Sequence, residues 1–152
     1  MYTEKKKDFR KNKKFYKARK VVIARDAPGG VGECHICGLE LRVRNDFELM
    51  GLQLEVDHIV APEGDERLYY DIENMALAHK FCNGRKSNKV LTRNLKINIT
   101  RAMVKFLKSE DFSIVDSKIV KKGDDSLIRA LEKVSVLESK PRMNEISSGI
   151  LW

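Results

Sequence analysis

Two short pairs of soft ligands stand out in the chain, Cys34-x2-Cys37 and His79-x2-Cys82. Each pair is spaced to grip one ion, and together they offer the four donors of a closed tetrahedral zinc site. This set uses all three cysteines of the sequence. His35 is a competing ligand, but it sits inside the knuckle between two cysteines, where its ring would have to fold back onto its own turn. The bland alternative, three free buried cysteines and a core histidine, has to treat the two-pair spacing as chance. Between the pairs lie Asp57 and His58, and directly after the second pair lies Asn83. Phosphodiester hydrolysis needs a base that works near neutral pH, which histidine supplies, and a Lewis acid that neutralises charge on the phosphoryl and leaving oxygens. Taken singly, His58 reads as a core histidine and Asp57 as a strand-end carboxylate. Tied to one metal-stapled scaffold, they read as a site.

The charge pattern agrees with that chemistry. The chain of 152 residues carries a net charge of +8. Residues 1–20 hold ten Lys or Arg against two acids, so this segment alone accounts for the excess. Residues 33–79 hold eleven acids and three arginines, and residues 80–108 hold nine basic residues and no acid. An acidic centre suits a divalent cation, and cationic flanks attract a polyanion such as DNA or RNA. A solvated lysine-rich face is the plain alternative for the arm. No stretch reaches the roughly 20 apolar residues needed to span a bilayer, and no apolar segment follows Lys5, Lys6 and Lys7, so a non-secreted protein without membrane contact is expected. An odd cysteine count with a CxxC pair cannot close a disulfide framework and favours metal binding in a reducing compartment, so the cytoplasm is the expected location.

Several elements must position these residues. Phe15, Tyr16, Val21, Val22 and Ile23 among Lys and Arg predict a basic amphipathic helix that ends before Ala27 and Pro28. Gly38 after the second cysteine permits the positive φ of a tight knuckle. Alternation over 52–60, stopped by Pro62, predicts a strand with Asp57 and His58 at its far end, and the short apolar run over 74–79 predicts a second strand pairing with it. Neighbouring strand residues point to opposite faces, so Asp57 and His58 can share a site only if the strand bends or ends there. A helix is expected over 82–91, another over 95–107 with Ile99, Met103, Phe106 and Leu107 on its face, and a strand or hairpin over 112–120. Asp124, Asp125 and Ser126 predict the cap of a last helix carrying Leu127, Ile128, Leu131 and Val134. The tail from Ser139 has no period.

Cys34-x2-Cys37, Glu55-Val56-Asp57-His58-Ile59-Val60-Ala61-Pro62, Asn74-Met75-x-Leu77 and His79-x2-Cys82-Asn83-x2-Lys86-Ser87, in that order, resemble an HNH endonuclease of the small freestanding, zinc-bound ββα-metal type. Even the helix with Phe15-Tyr16-Lys17-Ala18-Arg19-Lys20 is similar to the one that precedes the first CxxC in such proteins. The resemblance covers about residues 9–90. It implies that His58 is the general base, that Asp57 and Asn83 hold one divalent cation, Mg²⁺ or Mn²⁺, and that Asn74 fixes the loop and strand carrying His58. Asn83 stands where the motif's last histidine is named, and His79 stands where a cysteine is more usual, which keeps the zinc coordination number.

The expectation is therefore an α+β protein: a basic arm over 1–14, a ββα-metal nuclease domain over 15–94, a mainly helical extension over 95–138 packing on it, and a tail over 139–152. Zinc is structural, at Cys34, Cys37, His79 and Cys82. The partner is DNA, double-stranded by preference, met by Arg85, Lys86, Lys89, Lys13, Lys14 and Lys17; a homodimer or a protein partner is assigned to the extension. The rival readings are a non-catalytic zinc module that binds nucleic acid and an RNA-directed nuclease.

Overall fold

The computed structural model describes residues 12–122. The arm before Asn12, the helix expected after Asp124 and the tail lie outside the described residues. The chain divides into two compact units, one through Phe106 and one from Leu107.

In the first unit, helix α1 (Lys13–Asp26) is capped by Asn12, whose side chain accepts from the backbone N–H of Lys14. Val22 is its one buried residue, so the lysine-rich remainder faces outward. Arg25 anchors the helix by donating to the carbonyls of Ile72 and Met75, both at 2.8 Å. A 3₁₀ turn (Pro28–Gly30) then leads into the hairpin of β1 (Val31–Glu33) and β2 (Glu40–Arg42), with Glu33 opposite Glu40. Gly32 is required here because a Cβ would collide with the Asp26 carbonyl oxygen. The hairpin's tip is the Cys34 to Gly38 knuckle, closed by Gly38 N–H on the Cys34 carbonyl at 2.9 Å, with Gly38 at φ +74°.

Strand β3 (Leu54–His58) and strand β4 (Met75–His79) form an antiparallel pair with Val56 opposite Leu77 and His58 opposite Met75. The intervening loop holds the short helix α2 (Glu66–Tyr70) and a 3₁₀ turn (Ile72–Asn74). Helix α3 (Lys80–Lys86) leaves β4 without a break. It starts two residues before the expected position and stops at Ser87, whose φ of +53° is left-handed and ends the turn. Val22, Ile36, Leu39, Leu41, Leu54, Met75, Leu77 and Ala78 are buried and form the core of this unit.

Helix α4 (Arg93–Ser109) follows, and its Phe106 stacks on Phe81 of α3 with ring centroids 4.5 Å apart. Gly51 makes room for that ring, since a Cβ there would lie 2.7 Å from Phe106. In the second unit, β5 (Phe112–Val115) and β6 (Lys118–Lys121) form a hairpin whose two-residue turn, Asp116 and Ser117, has both φ angles positive. Leu107, Phe112, Ile119 and Val120 are its buried residues. The architecture is α+β, and the first unit contains a ββα unit of β3, β4 and α3. Among the described residues no helix is long and apolar enough to cross a membrane.

Candidate metal centre and active site

The knuckle and the β4–α3 junction bring Cys34, Cys37, His79 and Cys82 together, with all four donor atoms within 4.8 Å of one another. The knuckle is seated by the His35 N–H, which donates to the Leu77 carbonyl at 2.9 Å in the middle of β4. His79 Nδ1 is 3.4 Å from Cys37 Sγ, and Nε2 lies 2.8 Å from the Glu40 carbonyl oxygen. A carbonyl only accepts, so Nε2 carries the proton and Nδ1 turns its lone pair to the sulfurs. Hydrogen bonds from Cys37 and Cys82 hold the Cys34 thiol well below its ordinary value. Three sulfurs and one imidazole nitrogen, oriented inward and shielded from water, are the donor set that a structural zinc takes.

A second group lines the face where β3 meets α3. Alternation along β3 puts Glu55 and Asp57 on one side, and a three-residue spacing puts Asn83 and Lys86 on one side of α3. The two sides meet pairwise. Asn83 Nδ2 donates to Glu55 Oε2 at 2.7 Å, and Lys86 Nζ lies 3.2 Å from Asp57 Oδ2 and 3.3 Å from Oδ1. A carboxylate only accepts, so the Asn83 amide nitrogen faces Glu55 and its Oδ1 turns away as a hard oxygen donor. Lys86 also donates to the His58 carbonyl at 3.0 Å and is only 2% exposed. Expected among the residues that meet phosphate, Lys86 is instead an internal counter-ion: Asp57 is itself 6% exposed, and a buried carboxylate needs such a partner.

His35 was passed over as a zinc ligand, and its ring points elsewhere, with Nε2 2.8 Å from Asp57 Oδ2. The sequence signal for this was slight: a histidine between two cysteines either folds inward or projects from the knuckle, and spacing does not choose between them.

His58 closes β3, and its ring lies among aromatic residues, 5.0 Å from the Tyr69 ring and 6.4 Å from Phe15 between centroids. Its Nε2 is 2.9 Å from the Tyr69 carbonyl oxygen, so Nε2 carries a proton and the ring nitrogen left to accept one is Nδ1. Among the described residues Nδ1 has no hydrogen-bond partner. The His58 and Asp57 side chains do not bond to one another; what links them is Lys86, which holds the carboxylate of one and the carbonyl of the other.

Asn74 is buried and ties the intervening loop to the end of the strand pair. Its Nδ2 donates to the carbonyls of Val60 and Leu68 at 2.9 and 3.0 Å, and its Oδ1 accepts from Val60 N–H at 2.9 Å. The Ile59 N–H donates to the Asn74 carbonyl. Both the residue after His58 and the helix that supplies its carbonyl partner are thereby fixed.

These residues fall in one segment. Residues 34–89 match the HNH endonuclease family model. The match takes in all four soft donors together with Asp57, His58, Asn74, Asn83 and Lys86. No curated protein and no solved structure matches the chain. Outside the HNH segment, Lys13, Lys14 and Lys17 are exposed on α1, and Lys14 Nζ lies 4.6 Å from the centroid of the Tyr70 ring. Within it, Arg85 and Lys89 are exposed, with the Arg85 guanidinium 4.6 Å from the centroid of the Phe81 ring.

Proposed function

We propose that this chain is a metal-dependent endonuclease that hydrolyses DNA phosphodiester bonds. The observation that carries the reading is the hydrogen bond from His58 Nε2 to the Tyr69 carbonyl, which fixes the tautomer and leaves Nδ1 as the proton acceptor of a general base. His58 Nδ1 takes the proton of an attacking water, and Asn74 keeps the loop that orients the ring. Asp57 and the Oδ1 of Asn83 would hold the divalent cation, Mg²⁺ or Mn²⁺; both are hard oxygen donors, and Glu55 takes the amide nitrogen, which turns the amide oxygen away from Glu55. When bound, such an ion neutralises charge on the scissile phosphate and on the leaving oxygen. Cys34, Cys37, His79 and Cys82 hold a structural zinc that fixes β4 and α3 relative to the knuckle.

The substrate is double-stranded DNA, drawn in by the exposed basic residues Lys13, Lys14, Lys17, Arg85 and Lys89. The test is incubation with supercoiled plasmid and a panel of divalent cations. Cation-dependent relaxation or linearisation that disappears in His58→Ala supports the reading. Binding without cleavage under every cation leaves a zinc module that only binds nucleic acid, and cleavage of RNA in preference to plasmid moves the substrate.

A further inference from the structure

His35 remains once every motif residue has a role. It lies in the zinc knuckle without joining the sulfur cluster, and its Nε2 is 2.8 Å from Oδ2 of Asp57, the carboxylate read here as a cation ligand; without an ion Nε2 donates to that oxygen, and a bound cation would take the place of the proton. We infer that His35 is a third protein ligand of the cation held by Asp57 and Asn83, and so gives that site a nitrogen donor. The inference rests on the reading of Asp57 and Asn83 given above.

Three observations support it. The spacing fits: His35 Nε2 and Asp57 Oδ2 stand 2.8 Å apart, close enough for one small cation to be held by both. Asp57 already receives an ammonium, with Lys86 Nζ within 3.3 Å of both of its oxygens, so its burial does not depend on His35 as a hydrogen-bond donor. That ammonium also reduces the charge by which Asp57 attracts a hard ion, and a neutral nitrogen donor adds a bond without adding charge. The His35 backbone is anchored beside Cys34 by the hydrogen bond of its own N–H to the Leu77 carbonyl at 2.9 Å, which fixes the point from which the ring reaches Asp57. An imidazole donor shifts preference from Mg²⁺ toward Mn²⁺, Co²⁺ and Ni²⁺. It also makes the zinc knuckle the mount for one ligand of the second ion.

The full-length, zinc-loaded protein is titrated with Mn²⁺ and studied by pulsed electron paramagnetic resonance, with zinc content measured in the same samples. The chain has three histidines, and His79 belongs to the sulfur cluster, so nitrogen coupling to bound Mn²⁺ comes from His35 or His58. The expected result is nitrogen coupling in the wild type that persists in His58→Ala and is lost in His35→Gln. If His35→Gln fails to fold, the wild type and His58→Ala still decide the matter. Mn²⁺ bound with no nitrogen coupling overturns the inference and leaves the Asp57 and Asn83 site standing. Coupling lost in His58→Ala also overturns it. Absence of any Mn²⁺ binding overturns the inference and the cation site together.

Discussion

Lys86 places its ammonium 3.2 Å from Asp57 Oδ2 and 3.0 Å from the His58 carbonyl oxygen, and its side chain is closed to solvent. One cation therefore ties together the two adjacent residues at the end of the strand. Burying a charged pair is costly, and the cost is tolerated because each charge answers the other. Removing one partner leaves the other stranded.

Lys86→Met tests this directly. It keeps the apolar stem and deletes the charge, leaving Asp57 with His35 alone, and should lower stability by about 3–5 kcal/mol as for other broken buried pairs. Urea unfolding followed by circular dichroism measures it. Adding Asp57→Asn to Lys86→Met should restore much of the loss, because the neutral amide has less to lose on burial. A Lys86→Met protein as stable as the wild type would show that Lys86 is not an internal counter-ion.

Much of the scaffold could be read from residue types, because the information is local. The strand pair follows from alternation ending at Pro62 and from the bounded run before His79, and the knuckle from Gly38 after Cys37. The four soft donors follow from two spacings that fit one ion. Lys86 was misread because it stands in a run of basic residues, where a lysine usually faces water; its partner Asp57 is 29 residues away in sequence. The Tyr69 carbonyl that sets the His58 tautomer was unreadable for a different reason. A backbone carbonyl belongs to every residue and leaves no mark in sequence. The turn at Ser87 was equally hidden, since a serine at positive φ is imposed by its surroundings.

Metal content gives the second prediction. The purified protein should carry about one zinc per chain, since the four donors form one closed tetrahedral set. Cys37→Ser should lose zinc and native circular dichroism together, and a strong chelator should do the same to the wild type, because the binding energy of such a site is folding energy. A Cys37→Ser variant with full zinc and a native spectrum would remove the structural-zinc reading.

Salt dependence separates surface cations from the internal one. Alanine at Lys13, Lys17, Arg85 and Lys89 should flatten the plot of log affinity against log salt by about 0.9 for each phosphate no longer neutralised on duplex DNA. Fluorescence anisotropy with a labelled duplex measures the slope. Lys86→Met, studied where it stays folded, should leave the slope unchanged, since its ammonium faces Asp57.

Glu55 offers a finer test of the amide geometry. Its carboxylate accepts from Asn83 Nδ2 at 2.7 Å and so turns Oδ1 away from Glu55. Glu55→Gln can donate as well as accept, which lets the Asn83 amide turn over and present nitrogen to the cation. Mn²⁺ affinity by calorimetry should fall about 10-fold or more, as for other changes to the partners of a metal ligand, while zinc content stays at the wild-type level. Unchanged Mn²⁺ affinity would mean that Glu55 does not orient the ligand.

The general base is the most direct test of chemistry. His58 donates through Nε2 to the Tyr69 carbonyl, and Nδ1 is the ring nitrogen left to accept a proton. A base acts in the transition state far more than in ground-state binding, so His58→Ala should slow plasmid cleavage by about 10²–10⁴ while zinc content and duplex affinity stay near wild type. Asn83→Ala should lose activity in a different way, through weaker cation binding, and part of its rate should return at raised Mg²⁺ or with Mn²⁺. His58→Ala should respond little to cation concentration, because no added ion restores a missing proton acceptor. Measuring both variants across a cation series separates the two roles. A His58→Ala protein that nicks at the wild-type rate, or that is rescued by cation as fully as Asn83→Ala, would place the base elsewhere.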